Sequence, residues 1–203
     1  MNEAHVVFSQ APIFVVFFAA AFTDNILLTR FLGLCPFVGV SREVKTALGL
    51  GTAVVFVMTA TVFLNNIVYY AILVPFGLTH LRFIAFIVVI AAFVQLVEMV
   101  IERTSPVLYY TLGIFLPLIT VNCAILGTSL FMLNLRYGLW QSVAFGAGSG
   151  LGWALAILAM AGIREKLQED KIPAPLRGPA LTFIITGIMA LAFTAFSGMV
   201  KMS

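Results

Sequence analysis

Hydrophobic residues run along this chain in long stretches, and polar residues gather in short breaks between them. A helix of about 20 apolar residues is long enough to cross a hydrocarbon core ~30 Å thick. Six such stretches are predicted as helical spans, near 12–36, 48–74, 83–101, 107–133, 139–162 and 180–200. The breaks carry charges and helix breakers. Ser41-Arg42-Glu43 and Lys45 part the first two spans, and Pro75, Gly77, His80 and Arg82 part the next pair. Glu102-Arg103-Thr104-Ser105-Pro106 follows the third span, and Asn134, Arg136 and Gly138 follow the fourth. The longest polar stretch, residues 164–179, holds Pro173, Pro175 and Pro179 and reads as a loop.

Two spans break the pattern. The first and fourth belong to apolar runs of about 30 residues, more than one straight crossing needs. The first is interrupted by Asp24-Asn25, Thr29-Arg30, Gly33 and Pro36, and the fourth by Gly113, Pro117, Thr120, Asn122 and Gly127. Six spans divide as three plus three, and an odd number per half forces opposite topologies. The expected fold is therefore an all-α integral membrane protein, a single membrane domain over 1–203. It comprises two inverted three-helix repeats, 1–101 and 102–203, with broken first and fourth helices. Broken backbone at membrane depth survives only where protein or water covers it. Matched interruptions in two halves point to a functional site near the midplane.

Composition supports a membrane setting. Apolar residues make up 62% of the chain and charged residues 9%, against about a quarter charged in soluble domains. The net charge of +3 is too small and too dispersed for a nucleic-acid partner. The N-terminal residues Met1–Pro12 lack the basic start and cleavage site of a secretory signal, so the first span is expected to be retained. Loops after spans one, three and five carry Arg42, Lys45, Arg103, Arg164, Lys166, Lys171 and Arg177. The opposite side carries Arg82, Arg136 and Lys201. This bias puts the first group in the cytoplasm and both termini outside.

The candidate chemistry sits in the broken spans. Cys35 lies in FLGLCPFVGV and Cys123 in FLPLITVNCAILG, one cysteine per half, each behind a Phe-Leu-X-Leu stretch. A two-fold axis in the membrane plane would bring them together. Two readings stand side by side. Thiolates ligate iron–sulfur clusters, usually four per cluster, so a partner chain would supply the other two. Alternatively, each cysteine fills a core position as a small hydrophobe. Placement inside apolar sequence argues against a disulfide. A zinc site is disfavoured, because the chain's histidines, His5 and His80, fall near the outer surface.

Other polar residues have plainer readings. Asp24 and Arg30 lie six apart, not neighbours on a straight helix. Glu98 lies near the cytoplasmic end of span three, with Glu102 one turn on. It is either an interface marker or a candidate for ion handling. Tyr69-Tyr70, beside Asn65-Asn66, fit an aromatic belt. Asn25 and Asn122 are expected to satisfy backbone freed at the breaks. Gly146, Gly148, Gly150 and Gly152 are expected to form a helix-packing surface.

The cysteine segments also carry a resemblance. FLGLCPFVGVSREVKTALGLG at 31–51, ERTSPVLYYTLGIFLPLITVNCAILG at 102–127, AGIREKL at 161–167, PAPLRG at 173–178 and FSGMVK at 196–201 resemble the Rnf/Nqr family of membrane subunits. The likeness covers nearly the whole chain. CPFVGVS, VPFGLTHLR, RTSPVLY and PAPLRG look like the A-type membrane component of Rnf complexes. LNNIVYY, TVNCAILGTSLFM and GSGLGWALAILAMAGIREKL look more like the E-type component of the sodium-pumping NADH:quinone reductase. The balance favours the Rnf type.

The resemblance implies a membrane subunit of a redox-driven ion-translocating oxidoreductase, without a complete active site of its own. It implies pairing with a homologous subunit of opposite topology in a bacterial inner membrane. Cys35 and Cys123 would ligate the iron of a 2Fe-2S cluster shared with that subunit, and flavins would sit on other subunits. The cluster would relay electrons across the membrane, coupled to Na⁺ or H⁺ export. A secondary transporter is the alternative from another class, since inverted repeats with broken helices also mark transporters. A purely structural subunit is the third reading.

Overall fold

The computed structural model describes residues 12–41, 43–104, 116–167 and 178–197. His5, Arg42, residues 107–115 of the fourth expected span, the loop 168–177, the end of the sixth span at 198–200 and Lys201 lie outside them.

All regular structure among the described residues is helical. Helix α1, Ile13–Thr23, ends in the π-helical turn Ala19–Thr23, and residues 24–33 then cross the interior without regular helix. Helix α2, Leu34–Val40, follows. Helix α3 runs Val44–Leu73, its last turn again π-helical, and α4 runs Arg82–Thr104 behind the 3-10 turn Thr79–Leu81. Helices α5, Leu116–Thr120, and α6, Cys123–Asn134, are split at Val121-Asn122. Helix α7 is Leu139–Lys166 and α8 is Pro179–Ser197.

Among the described residues, three apolar helices are long enough to span a bilayer: Val44–Leu73, Thr79–Val100 and Leu139–Lys166. Three shorter ones, Ile13–Thr23, Leu118–Asn134 and Pro179–Ala195, complete the six expected segments. The interruptions fall in the first and fourth segments, as expected. Phe14, Phe76 and Leu191 are each more than 70% exposed. Large apolar side chains facing outward in such numbers suit lipid as solvent.

The glycine run sets the frame. A methyl added at Gly146 would meet Val62, at Gly150 Val55, and one at Gly51 would meet Ala154. One index rises as the other falls, so α3 and α7 pack antiparallel. The alternate pair faces another way. Methyls at Gly148 and Gly152 would strike the backbone carbonyls of Phe17 and Ala21 in α1. Four small residues thus let α7 touch two neighbours at backbone distance.

The main core surrounds the broken segment. Leu27, Leu28, Phe37, Leu50, Met58, Ile125 and Trp153 are buried together. Polar glue joins the spans: Asn65 Nδ2 donates to Ser129 Oγ at 2.9 Å, and Asn66 Nδ2 to Ser142 Oγ at 3.1 Å. Asn65-Asn66 therefore tie α3 to α6 and α7.

Candidate functional site

Cys35 and Cys123 each stand in the first turn of a helix that follows a break. Cys35 is the second residue of α2, and Cys123 is the first of α6. Each break is built from its own sequence. After α1, Asn25 is fully buried. Its Nδ2 donates to the Gly152 carbonyl at 2.7 Å, while its Oδ1 accepts from the Leu27 N–H at 3.1 Å. At the second break Asn122 caps α6, with Oδ1 accepting from the Ala124 N–H at 3.0 Å. Both asparagines do satisfy freed backbone.

The two breaks meet. The Gly33 N–H donates to Cys123 Sγ at 3.0 Å, across 90 positions of sequence. Gly33 has φ of +83°, a left-handed conformation that suits glycine. Its carbonyl accepts from Trp153 Nε1 at 3.3 Å. A methyl added at Gly33 would lie 2.6 Å from Trp153 Nε1, 3.0 Å from Ala124 Cβ and 3.1 Å from Asn122 Oδ1. No side chain fits there, so only glycine brings the Cys35 segment against Cys123. Sequence marked Gly33 as a helix breaker; nothing in it marked Trp153 as the residue that holds it.

Both thiols are free and exposed. A core-filling cysteine would be buried, and these are not. Among the described residues no three His, Cys, Asp or Glu side chains group to hold a metal ion. His80 is exposed, and Glu98 is half-buried on α4.

Asp24 and Arg30 form a pair after all. Arg30 Nη2 lies 3.0 Å from Asp24 Oδ2, Nε donates to Oδ1 at 3.3 Å, and the Thr29 hydroxyl donates to Oδ1 at 3.1 Å. Six-residue spacing separates them on a straight helix; the break folds them together. The guanidinium also lies 4.3 Å from the centre of the Phe131 ring on α6. The pair lines a cavity of about 520 Å³ between the first break and α8, with Thr23 and Thr194. At the turn between α6 and α7, Tyr137 has its phenol pushed up to about 12, first by burial and then by the Asp24 carboxylate. It stays neutral at physiological pH.

Arg164 corrects the sequence reading. It was expected in a cytoplasmic loop, but α7 continues to Lys166 and leaves Arg164 only 8% exposed. Its Nη1 donates to Ser41 Oγ at 3.1 Å and to the Val38 carbonyl at 3.4 Å. A cation at the C-terminal end of α2 meets that helix's free carbonyls. Arg164→Met should therefore loosen the helix that carries Cys35. The expected cost is about 1–3 kcal/mol for partners left unpaired, read as a thermal midpoint lowered by roughly 5 °C. An unchanged midpoint would mean that Arg164 does not hold α2.

The chain is similar to known proteins along most of its length. A family model described as Rnf-Nqr subunit, membrane protein, matches residues 13–200. The E-type component of the Na(+)-translocating NADH-quinone reductase of Rhodopirellula baltica is 51% identical, over 90% of this chain and 95% of that protein. The protein of the same name from Methylococcus capsulatus is 52% identical, over 90% and 96%. The A-type component of the Na(+)-translocating ferredoxin:NAD(+) oxidoreductase complex of Acetobacterium woodii is 48% identical, over 91% and 96%. With lipid-suited outer faces and a match from the first described helix to beyond the last, this chain belongs to the Rnf-Nqr family of membrane subunits.

Proposed function

We propose that this chain is the electron-relay membrane subunit of an Rnf-type ion-translocating ferredoxin:NAD oxidoreductase. In this reading Cys35 and Cys123 supply two of the four thiolates of a 2Fe-2S cluster. A homologous subunit of opposite topology supplies the other two, and flavins belong to other subunits. The observation that carries it is the contact between the breaks: Gly33 N–H on Cys123 Sγ at 3.0 Å, with both thiols free and exposed. Two exposed thiols on touching segments form half a cluster site that lacks only a partner's half.

The donor set fits the group. Sulfur ligands suit iron–sulfur clusters. The Gly33 N–H already faces the Cys123 sulfur, as backbone donors do around such ligands. Bound there, the cluster would take up and pass on single electrons. This chain's residues would hold it: Gly33 by its close approach, Trp153 by fixing Gly33, and Arg164 by fixing α2. The relatives are named as parts of redox complexes that translocate Na⁺. That supports membership of such a complex over a secondary transporter, which has no use for paired thiols. The charge bias supports an inner-membrane orientation with both termini outside.

The Nqr type is the second reading, and a specific observation favours it. Relatives named as the E-type component of NADH-quinone reductase reach 53% identity, against 48% for the ferredoxin:NAD(+) relative. Purification of the tagged chain from its native membrane separates the two. Ferredoxin-like subunits copurifying, with ferredoxin-driven NAD reduction, are the expected result. An NADH-oxidising flavin subunit with quinone reduction would establish the Nqr reading instead. Copurification with no redox subunit would overturn both.

A further inference from the structure

The breaks leave one donor unexplained. Among the described residues, Asn65 Oδ1 and Asn122 Nδ2 are buried side-chain atoms without a hydrogen-bond partner. The first is an acceptor whose amide already serves Ser129 Oγ. The second is a donor on the residue next to Cys123. Asn122 is only 4% exposed. Its orientation is fixed, because Oδ1 must face the Ala124 N–H to cap α6. The amide group therefore has its NH₂ left over, and a flip would break the cap. Oδ1 lies 3.1 Å from the place a methyl on Gly33 would take, and the Gly33 N–H faces Cys123 Sγ, so the Asn122 amide sits beside the contact between the two breaks. An unpaired amide in an apolar interior is costly. The group missing from its surroundings is an acceptor.

A thiolate-ligated cluster is rich in acceptors and has no donors. We propose that Asn122 is a positioning residue for the cluster. Its Nδ2, buried inside this chain, donates a hydrogen bond to the ligand sulfur of Cys123 when the cluster is bound, and so raises the reduction potential. This inference rests on the cluster reading above. One-electron reduction adds one negative charge to the cluster, and a donor stabilises the reduced form more than the oxidised one. The same side chain then has two duties. Its oxygen starts the helix that carries Cys123, and its nitrogen tunes what Cys123 holds.

The test is a redox titration of the purified complex, followed by electron paramagnetic resonance, with dithionite as reductant. Asn122→Ser keeps a good helix cap but removes the amide. Asn122→Asp keeps shape and cap but replaces the donor with a negative charge. The expected result is full iron content in both variants. The midpoint potential should be more negative in Asn122→Ser and more negative still in Asn122→Asp. Loss of iron with an unchanged thermal midpoint would also support the inference, since the amide would then be needed to hold the cluster. Full iron with an unmoved potential in Asn122→Ser would overturn it, as would iron loss that merely tracks a lowered thermal midpoint. A wild-type complex without iron would remove the cluster reading and this inference together, so the two failures are distinguishable.

Discussion

Gly33→Ala is expected to strip this site of its iron and to lower the thermal midpoint by on the order of 10 °C. Two costs combine. A non-glycine residue held in the left-handed region costs about 1–2 kcal/mol, and Gly33 sits at φ +83°. The added methyl would also press on Trp153 Nε1 at 2.6 Å, Ala124 Cβ at 3.0 Å and Asn122 Oδ1 at 3.1 Å. Overpacking of this kind costs about 1–3 kcal/mol more. The sum is a large share of a typical stability of about 5–15 kcal/mol. The chain can escape by moving residues 31–34 outward, which takes the Gly33 N–H off Cys123 Sγ and moves Cys35. Gly39→Ala is the control, because its methyl would meet nothing within 4 Å. It should keep iron and midpoint. Equal behaviour of the two variants would show that the close approach at Gly33 is not required.

Gly152→Ala is expected to be as damaging from the opposite side of the break. Its methyl would lie 2.6 Å from the Ala21 carbonyl oxygen and 3.0 Å from Asn25 Nδ2. Backbone cannot step aside as a side chain does, so α7 and α1 must part. Parting them also breaks the 2.7 Å bond from Asn25 Nδ2 to the Gly152 carbonyl, which anchors the first break. Overpacking and a lost buried hydrogen bond together cost about 2–5 kcal/mol. Gly162 lies on the same helix with nothing within 4 Å. Gly162→Ala should be neutral or stabilising by up to about 1 kcal/mol, the helix-propensity gain. Thermal unfolding of the two variants in detergent checks the contrast. A midpoint for Gly152→Ala that matches Gly162→Ala would remove the close packing of α1 on α7.

These residues also show how far the sequence could be read. The six apolar segments were legible because lipid demands long apolar runs, and no tertiary detail is needed to see them. The interruptions were legible because Asp24-Asn25, Gly33 and Asn122 are poor company for a lipid-exposed helix. Gly146 to Gly152 announced close packing, but spacing alone could not say that alternate glycines face α3 and α1. The Asp24–Arg30 pair was illegible for a physical reason. Side-chain spacing rules assume an unbroken helix, and the break is what brings the two together. Arg164 was misplaced because a charged residue near the end of an apolar run looks like a loop residue. Burial against Ser41 depends on a fold that the local sequence does not contain. Symmetry led to an expected approach of the two cysteines, whereas the contact between Gly33 and Cys123 and the role of Trp153 in holding it had no local signal at all.

The central claim is that Cys35 and Cys123 together form half of an iron–sulfur site. Its most direct measurement is iron and acid-labile sulfide per complex, with the visible absorbance band, in the purified complex and in Cys35→Ala and Cys123→Ala. The complex should carry the cluster, and each substitution alone should abolish both iron and absorbance from this site while the other subunits still copurify. Iron and absorbance that survive either substitution unchanged would contradict the claim.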